Sequence, residues 1–254
     1  MKVITFGEGR TDERVFSFLR EKYLSVHEFQ DFVSVNGKAN FKKLIKGFVA
    51  SELVPNKETS ILVFRDLDRD EEQDRVVQSF HDIVKELLPG WNREPDRHLD
   101  YPNIYFFEQE SNEETPGFHM VLHLADINHL DLPERLKNSN KTTDGYVLAV
   151  GLKKDVLNRF AVKDVGTSVE KLNSLITEAI PSGFSLKDIA FEEDKDYLAA
   201  YLCATRFWVK KRTEDRERLE YVILDRAWKY NQESVRNVFA TWIAAMIKSG
   251  GSQR

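Results

Sequence analysis

Four acidic side chains in two short stretches carry the chemistry that this sequence can do. Glu8 stands between two glycines in Gly7-Glu8-Gly9-Arg10-Thr11-Asp12-Glu13, and Asp66, Asp68 and Asp70 alternate in Asp66-Leu67-Asp68-Arg69-Asp70-Glu71. In extended backbone, residues two apart point the same way, so these carboxylates converge and repel unless protons or a cation intervene. A divalent metal is the natural counter-ion. Donors that are all oxygen suit magnesium, manganese or calcium, not zinc or copper. A calcium EF-hand is excluded, because its sixth position must be Gly and its twelfth Glu, and here they are Glu71 and Val77. Glycines on both sides of Glu8 let the backbone bend sharply and a phosphate or metal approach closely, a good setting for a catalytic carboxylate. Asp12 has two readings, as a metal ligand and, with Thr11 as cap, as a helix-start residue. Gly37-Lys38 is able to hold a phosphate, although it lacks the spacing of a Walker loop and reads equally as a solvated helix start. Asp70, Glu71 and Glu72 also read as the acidic first turn of a helix, which the macrodipole favours by roughly 0.3–1 kcal/mol per group. Asp66 and Asp68, at the end of a bare apolar run, are harder to explain by solubility.

The elements that must position these acids follow from hydrophobic period. Lys2–Phe6 is an apolar run, and Val15, Phe16, Leu19 and Tyr23 then recur at helical spacing. Residues 31–35 alternate as a strand, followed by the helical stripe Phe41, Leu44, Ile45, Phe48 and Val49. Ile61–Phe64, after Ser60, is a bare apolar run, as in a strand covered on both faces, and Val76, Val77, Phe80, Ile83, Val84 and Leu87 form a third helix that Pro89-Gly90 ends. Three β-α units in series predict an α/β fold with a parallel sheet flanked by helices. The carboxyl ends of parallel strands share one edge, where such folds place ligands, so the clusters after the three strands are expected to meet. Asn103–Phe107, Phe118–Leu122 and Tyr146–Val150 read as further strands, and from Ser168 the pattern is mainly helical, an α-helical C-terminal extension. Asn138–Asp144 reads as a loop, residues 249–254 as a frayed tail, and no internal repeat is found.

In order and placement these motifs resemble the Toprim domain shared by topoisomerases, primases and the overcoming-lysogenization-defect nucleases. That domain carries Glu-Gly after its first strand with an acid three residues on, here Glu8-Gly9 and Asp12, and Asp-x-Asp after its third, here Asp66-Leu67-Asp68. The Thr-Asp-Glu that follows Glu8-Gly9, together with Gly37-Lys38, is closer to the nuclease-type and small stand-alone members than to primases. The resemblance covers residues 1–125, a Toprim-like metal-binding domain, and leaves 126–254 as further strands and a mostly helical extension able to pack with it. It implies a magnesium (or manganese) site in which Glu8 is a ligand or the general acid/base. Asp66 and Asp68 bind the metal, with Asp12 and Asp70 as further ligands and Gly9 and Lys38 against phosphate. A further carboxylate from a later segment is expected, with Glu108 and Glu110 as candidates. The implied function is a nuclease acting on DNA or RNA. The alternatives are a subunit of a defence or repair assembly that binds nucleic acid or a nucleotide without cutting it, and a phosphatase or nucleotidyl transferase on another α/β fold. Haloacid dehalogenase phosphatases differ in placing their aspartate pair after the first strand, with Thr or Val where this chain has Asp70.

Composition narrows the classes. With 41% hydrophobic and 31% charged residues over 254 positions, the chain has enough apolar material for a core. A net charge of -5 argues against coating nucleic acid by bulk charge. The longest apolar runs stop far short of the roughly 20 residues that span a bilayer, and the start lacks a signal-peptide pattern, so no membrane partner is expected. The single cysteine, Cys203, forms no internal disulfide and fits the reducing cytoplasm. No Gly-x-x-x-x-Gly-Lys-Ser/Thr loop is present, so any ATPase partner is a separate polypeptide. Arg206–Arg212 interleaves bases with aromatics, a composition able to grip and stack nucleic acid, although Glu214, Asp215 and Glu217 favour a salt-bridged helix. None of the six histidines shows trusted metal-ligand spacing, and oligomeric state is open.

Overall fold

The structure is a computed structural model that describes residues 3–24, 29–55, 57–68, 70–130, 132, 141–160, 169–187, 190–191, 195–201 and 219–250. His27, Cys203 and the basic-aromatic stretch 206–212 lie outside the described residues. The chain divides into two compact units, residues 1–125 with 240–254, and residues 126–239.

The first unit is a six-stranded sheet in the order β2-β1-β3-β6-β5-β4, formed by β1 (Val3–Gly7), β2 (Phe29–Ser34), β3 (Glu58–Arg65), β4 (Asp96–Arg97), β5 (Ile104–Gln109) and β6 (Gly117–Leu124). β1 pairs in parallel with β2 and β3, and β3 in parallel with β6; β5 and β4 continue the sheet antiparallel. Every residue of β1 is buried, as is β3 beyond Glu58, because helices cover both faces. Strand alternation sends Ile4, Phe6, Ile61 and Val63 into a core with α2 (Phe41–Val49) and α3 (Gln73–Leu87), and this core continues to Phe107, Met120 and Leu122. On the other face Phe64 meets Phe16 of α1 (Arg10–Tyr23), with ring centroids 6.3 Å apart.

The first three strand-helix units and the strands at 104–109 and 117–124 stand where hydrophobic period places them. Two features differ. Tyr146–Val150, expected as a strand, lies inside α4 (Thr143–Gly151), where residues 145–151 are all buried. A short apolar run enclosed on every side has no polar face to reveal its period, so helix and strand read alike. The last helix, α10 (Ala240–Lys248), belongs with the first unit although the sequence groups it with the extension.

The second unit, residues 126–239, is helical through α4, α5 (Lys154–Phe160), α6 (Val169–Ser174), α7 (Ile180–Ser185), a stretch over 195–201, α8 (Leu219–Tyr230) and α9 (Gln232–Val238), with a π-turn over Leu175–Ala179 joining α6 to α7. Tyr146 Oη donates to the Asp126 carbonyl at 2.9 Å, and its ring stacks on Phe239. The fully buried Tyr201 hydroxyl donates to the Gly151 carbonyl at 3.1 Å, so these two phenols both have a backbone partner. Among the described residues no helix is long and apolar enough to cross a membrane.

Gly7 ends β1 at a close approach. A Cβ placed there would lie 2.3 Å from Phe32 Cζ and 2.9 Å from Asp12 Cβ. Gly7→Ala is expected to cost about 1–3 kcal/mol through overpacking, read as a lower urea midpoint at unchanged slope. An unchanged midpoint would mean that the Phe32 ring moves aside freely.

Candidate functional site

The register of the four parallel strands aligns their carboxyl ends. Gly7 is opposite Ser34, Phe6 opposite Val63 and Arg65 opposite Leu124, and two backbone bonds extend the pairing past the strands: Val35 N–H to Gly7 O at 2.9 Å and Ala125 N–H to Arg65 O at 2.8 Å. The chain runs from β1 outward to β2 and then returns past β1 to β3. The crevice between β1 and β3 is therefore the point where strand order reverses, the place where open α/β sheets bind ligands. Glu8 leaves β1 on one side of it, and Asp66 and Asp68 leave β3 on the other.

Glu8 is 15% exposed, and its Oε1 accepts two hydrogen bonds, from Arg65 Nη1 at 2.8 Å and from the Asp66 N–H at 3.1 Å. Arg65, the last residue of β3, is 7% exposed, and its Nη2 donates to Glu71 Oε1 at 2.7 Å while Nη1 also reaches the Asp66 carbonyl. A buried guanidinium needs such partners, since an unpaired buried charge is heavily penalised. Glu71 gathers the opposite side of the cluster. Its Oε2 takes the Asp68 N–H at 2.9 Å and Lys38 Nζ at 3.1 Å, and Lys38 also meets Asp68 Oδ1 at 2.5 Å. Lys38 is delivered across β1 from the end of β2 by a turn in which Asn36 (φ 52°) and Gly37 (φ 113°) are both left-handed. The Asn40 amide fixes that turn by donating to the carbonyls of Val35 and Asn36. Glycine suits the second position because an L side chain there is strained.

Burial raises the Glu8 carboxyl above the ordinary carboxylate value, and Arg65, Lys38 and the Asp66 N–H only partly offset this. For Glu71, burial pushes the same way but is outweighed. The Asp68 N–H, Arg65 and Lys38 together hold its carboxyl below the usual value. A depressed folded value contributes stability above the unfolded value, which is lost as pH falls through the folded one. Glu71→Gln is therefore expected to lower stability by roughly 1 kcal/mol near neutrality, a small effect because the group is partly exposed. In denaturation series the deficit should shrink as pH falls below the ordinary carboxylate value and Glu71 takes up its proton, and a deficit that persists in acid would refute the ionic origin.

The remaining candidates divide by position. Gly9 is extended and has no neighbour within 4 Å of where a Cβ would stand, so its surroundings are open. It, and not Thr11, is the residue at the start of α1. Asp12 is buried beneath it and spends Oδ2 on the Gly9 N–H at 3.0 Å, holding the helix start. Asp66 is half-buried, and Asp68 and Asp70 are exposed. Glu108 and Glu110 do not join the cluster. β5 runs antiparallel, so its end, where Gln109 is opposite Phe118, lies at the edge where β3 and β6 begin. There Glu108 Oε1 meets His119 Nε2 at 3.2 Å. His123 is core, its Nε2 2.9 Å from Thr241 Oγ1.

Sequence reasoning missed Arg65 as a participant and took Glu71 for a helix-start acid. A cation closing an otherwise apolar strand was the available signal for Arg65, since a charge there requires carboxylates nearby. The donor set of Glu8, Asp66 and Asp68 is all oxygen and fits magnesium or manganese by its chemistry. Among the described residues no three acidic, histidine or cysteine side chains gather as a metal-binding group; Arg65 and Lys38 hold the carboxylates in this arrangement. The fold and site together define an α/β protein with a carboxylate-rich, cation-bridged crevice at the reversal point of its sheet. Against known protein families, curated proteins and solved structures, no match is found for this chain.

Proposed function

We propose that the chain is a Toprim-type, magnesium- or manganese-dependent enzyme that cleaves phosphodiester bonds in DNA or RNA, working in the cytoplasm with any ATPase supplied by a separate polypeptide. One observation carries this reading: Glu8 and the Asp66/Asp68 pair flank the β1–β3 crevice, with Lys38 brought to the same place from β2. Asp66 and Asp68 would hold the metal, which when bound supplies positive charge against the phosphate oxygens, and Glu8 is kept for the proton. In the hydrolysis, a water oxygen bonds to phosphorus while one ester P–O bond breaks. The raised basicity of Glu8 suits it to accept the water's proton, and Arg65 keeps that carboxylate in place.

A second reading is favoured by the ion pairs themselves. Two cations neutralise the carboxylates from within, which suits a crevice that binds a nucleic acid or nucleotide without cutting it, as a subunit of a larger assembly. Labelled single- and double-stranded DNA and RNA, incubated with magnesium, manganese or chelator, separate the two. Metal-dependent cleavage that is lost in Glu8→Gln and Asp66→Asn supports the enzyme. Binding without cleavage supports the subunit, and activity confined to small phosphate esters would refute both.

A further inference from the structure

The two cations of the crevice are held very differently, and the following inference rests on the metal-dependent reading above. Arg65 is buried, its planar fork is engaged by Glu8, Glu71 and the Asp66 carbonyl, and moving it would strand a charge in the interior. Lys38 is 25% exposed on a flexible four-carbon stem, and its partner Asp68 is 51% exposed. At 2.5 Å from an ammonium, Asp68 Oδ1 cannot also hold a divalent cation, since like charges would be forced together. A metal that takes Asp68 Oδ1 displaces Lys38, and of the two cations Lys38 is the one that moves without stranding a charge in the interior.

We propose that Lys38 is an exchangeable counter-ion of this site. With no metal bound it neutralises Asp68 and Glu71; when Asp68 becomes a metal ligand, Lys38 turns away and is available to a phosphate group of the incoming ligand. The Asn36-Gly37 turn fixes the backbone of Lys38 beside the crevice, so the ammonium moves between two anions within the reach of one side chain. An ammonium suits this exchange because it binds phosphate as a compact point charge with three rotatable donors. Metal and phosphate then bind with positive coupling, and by linkage each tightens the other.

The test measures Mn2+ alone by the loss of the free-ion signal in electron paramagnetic resonance, for the native chain and Lys38→Met, each with and without inorganic phosphate. Circular dichroism checks that the variant is folded, as expected for a substitution at a partly exposed helix-start lysine. With its competitor removed, Lys38→Met is expected to bind Mn2+ about two- to fivefold more tightly than the native chain without phosphate. Phosphate is expected to tighten Mn2+ binding in the native chain and far less in the variant. Manganese affinity in Lys38→Met equal to or weaker than native overturns the exchange while leaving the metal-dependent reading intact. Phosphate coupling that survives in the variant overturns the release of Lys38 to phosphate. If neither protein binds Mn2+, the metal-dependent reading and this inference fall together.

Discussion

Glu8→Gln is expected to reduce metal-dependent cleavage by about 10²–10⁴-fold, the range lost when a positioned proton acceptor is removed. The substitution isolates the chemistry because the amide keeps an oxygen where Glu8 Oε1 now accepts from Arg65 Nη1 and the Asp66 N–H. It removes the charge and the ability to take a proton while preserving shape. Asp66→Asn is equally conservative in volume, and its expected loss comes through weaker metal affinity, so excess manganese should rescue it in part and should not rescue Glu8→Gln. The pH profile gives an independent reading. A base must be deprotonated to act, so activity should rise with pH as Glu8 ionises; burial raises its carboxyl in the metal-free chain, and a bound cation would lower it again. Glu8→Gln should lack this acid limb. Native-like cleavage by Asp66→Asn, with the same metal dependence, would place the reaction elsewhere in the molecule.

How the site could be read from the chain depended on which physical signal each residue leaves. Glu8, Asp66 and Asp68 were legible because a buried parallel strand is a bare apolar run, and acids following two such runs must share an edge. Lys38 was legible for the same reason, one strand over. Arg65 and Glu71 were not, because their role lies in where long side chains point. Arg65 reaches back to Glu8, 57 residues earlier in the chain, and no local spacing encodes that pairing. Glu108 and Glu110 were misplaced because period reveals a strand but not its direction; the connection through β4 returns the chain antiparallel and carries both acids to the far edge. Tyr146–Val150 shows the complementary limit, where burial on all sides erases period itself. The stripe of α10 was readable as a helix, yet nothing in it names the surface that it covers.

That surface gives the largest expected effect on stability. Trp242→Ala is expected to destabilise the first unit by about 3–5 kcal/mol, the usual cost of emptying a buried aromatic site. Trp242 is 1% exposed, and its ring stacks on Phe64 of β3 with centroids 3.8 Å apart and planes inclined by 13°. It also lies 5.4 Å from the His123 ring, which meets Thr241 beside it. The helix is anchored again at its end, where Ser60 Oγ donates to the Ser249 carbonyl at 2.8 Å, a bond spanning 189 positions of sequence. Phe64 and Ser60 both belong to the strand that ends in Arg65 and Asp66, so α10 is a support for the crevice as well as a cover for the sheet. Against a total of about 5–15 kcal/mol for a folded domain, this loss should move the urea midpoint far to lower concentration. Trp242→Phe, which keeps a ring against Phe64, should lose less than half as much. Since both substitutions lie beneath the strand and touch none of the crevice acids, Trp242→Ala should also loosen manganese binding at temperatures where it remains folded, while Trp242→Phe should not. A Trp242→Ala midpoint within about 1 kcal/mol of native would mean that the first unit stands without its last helix, and would remove α10 from the elements that position the site.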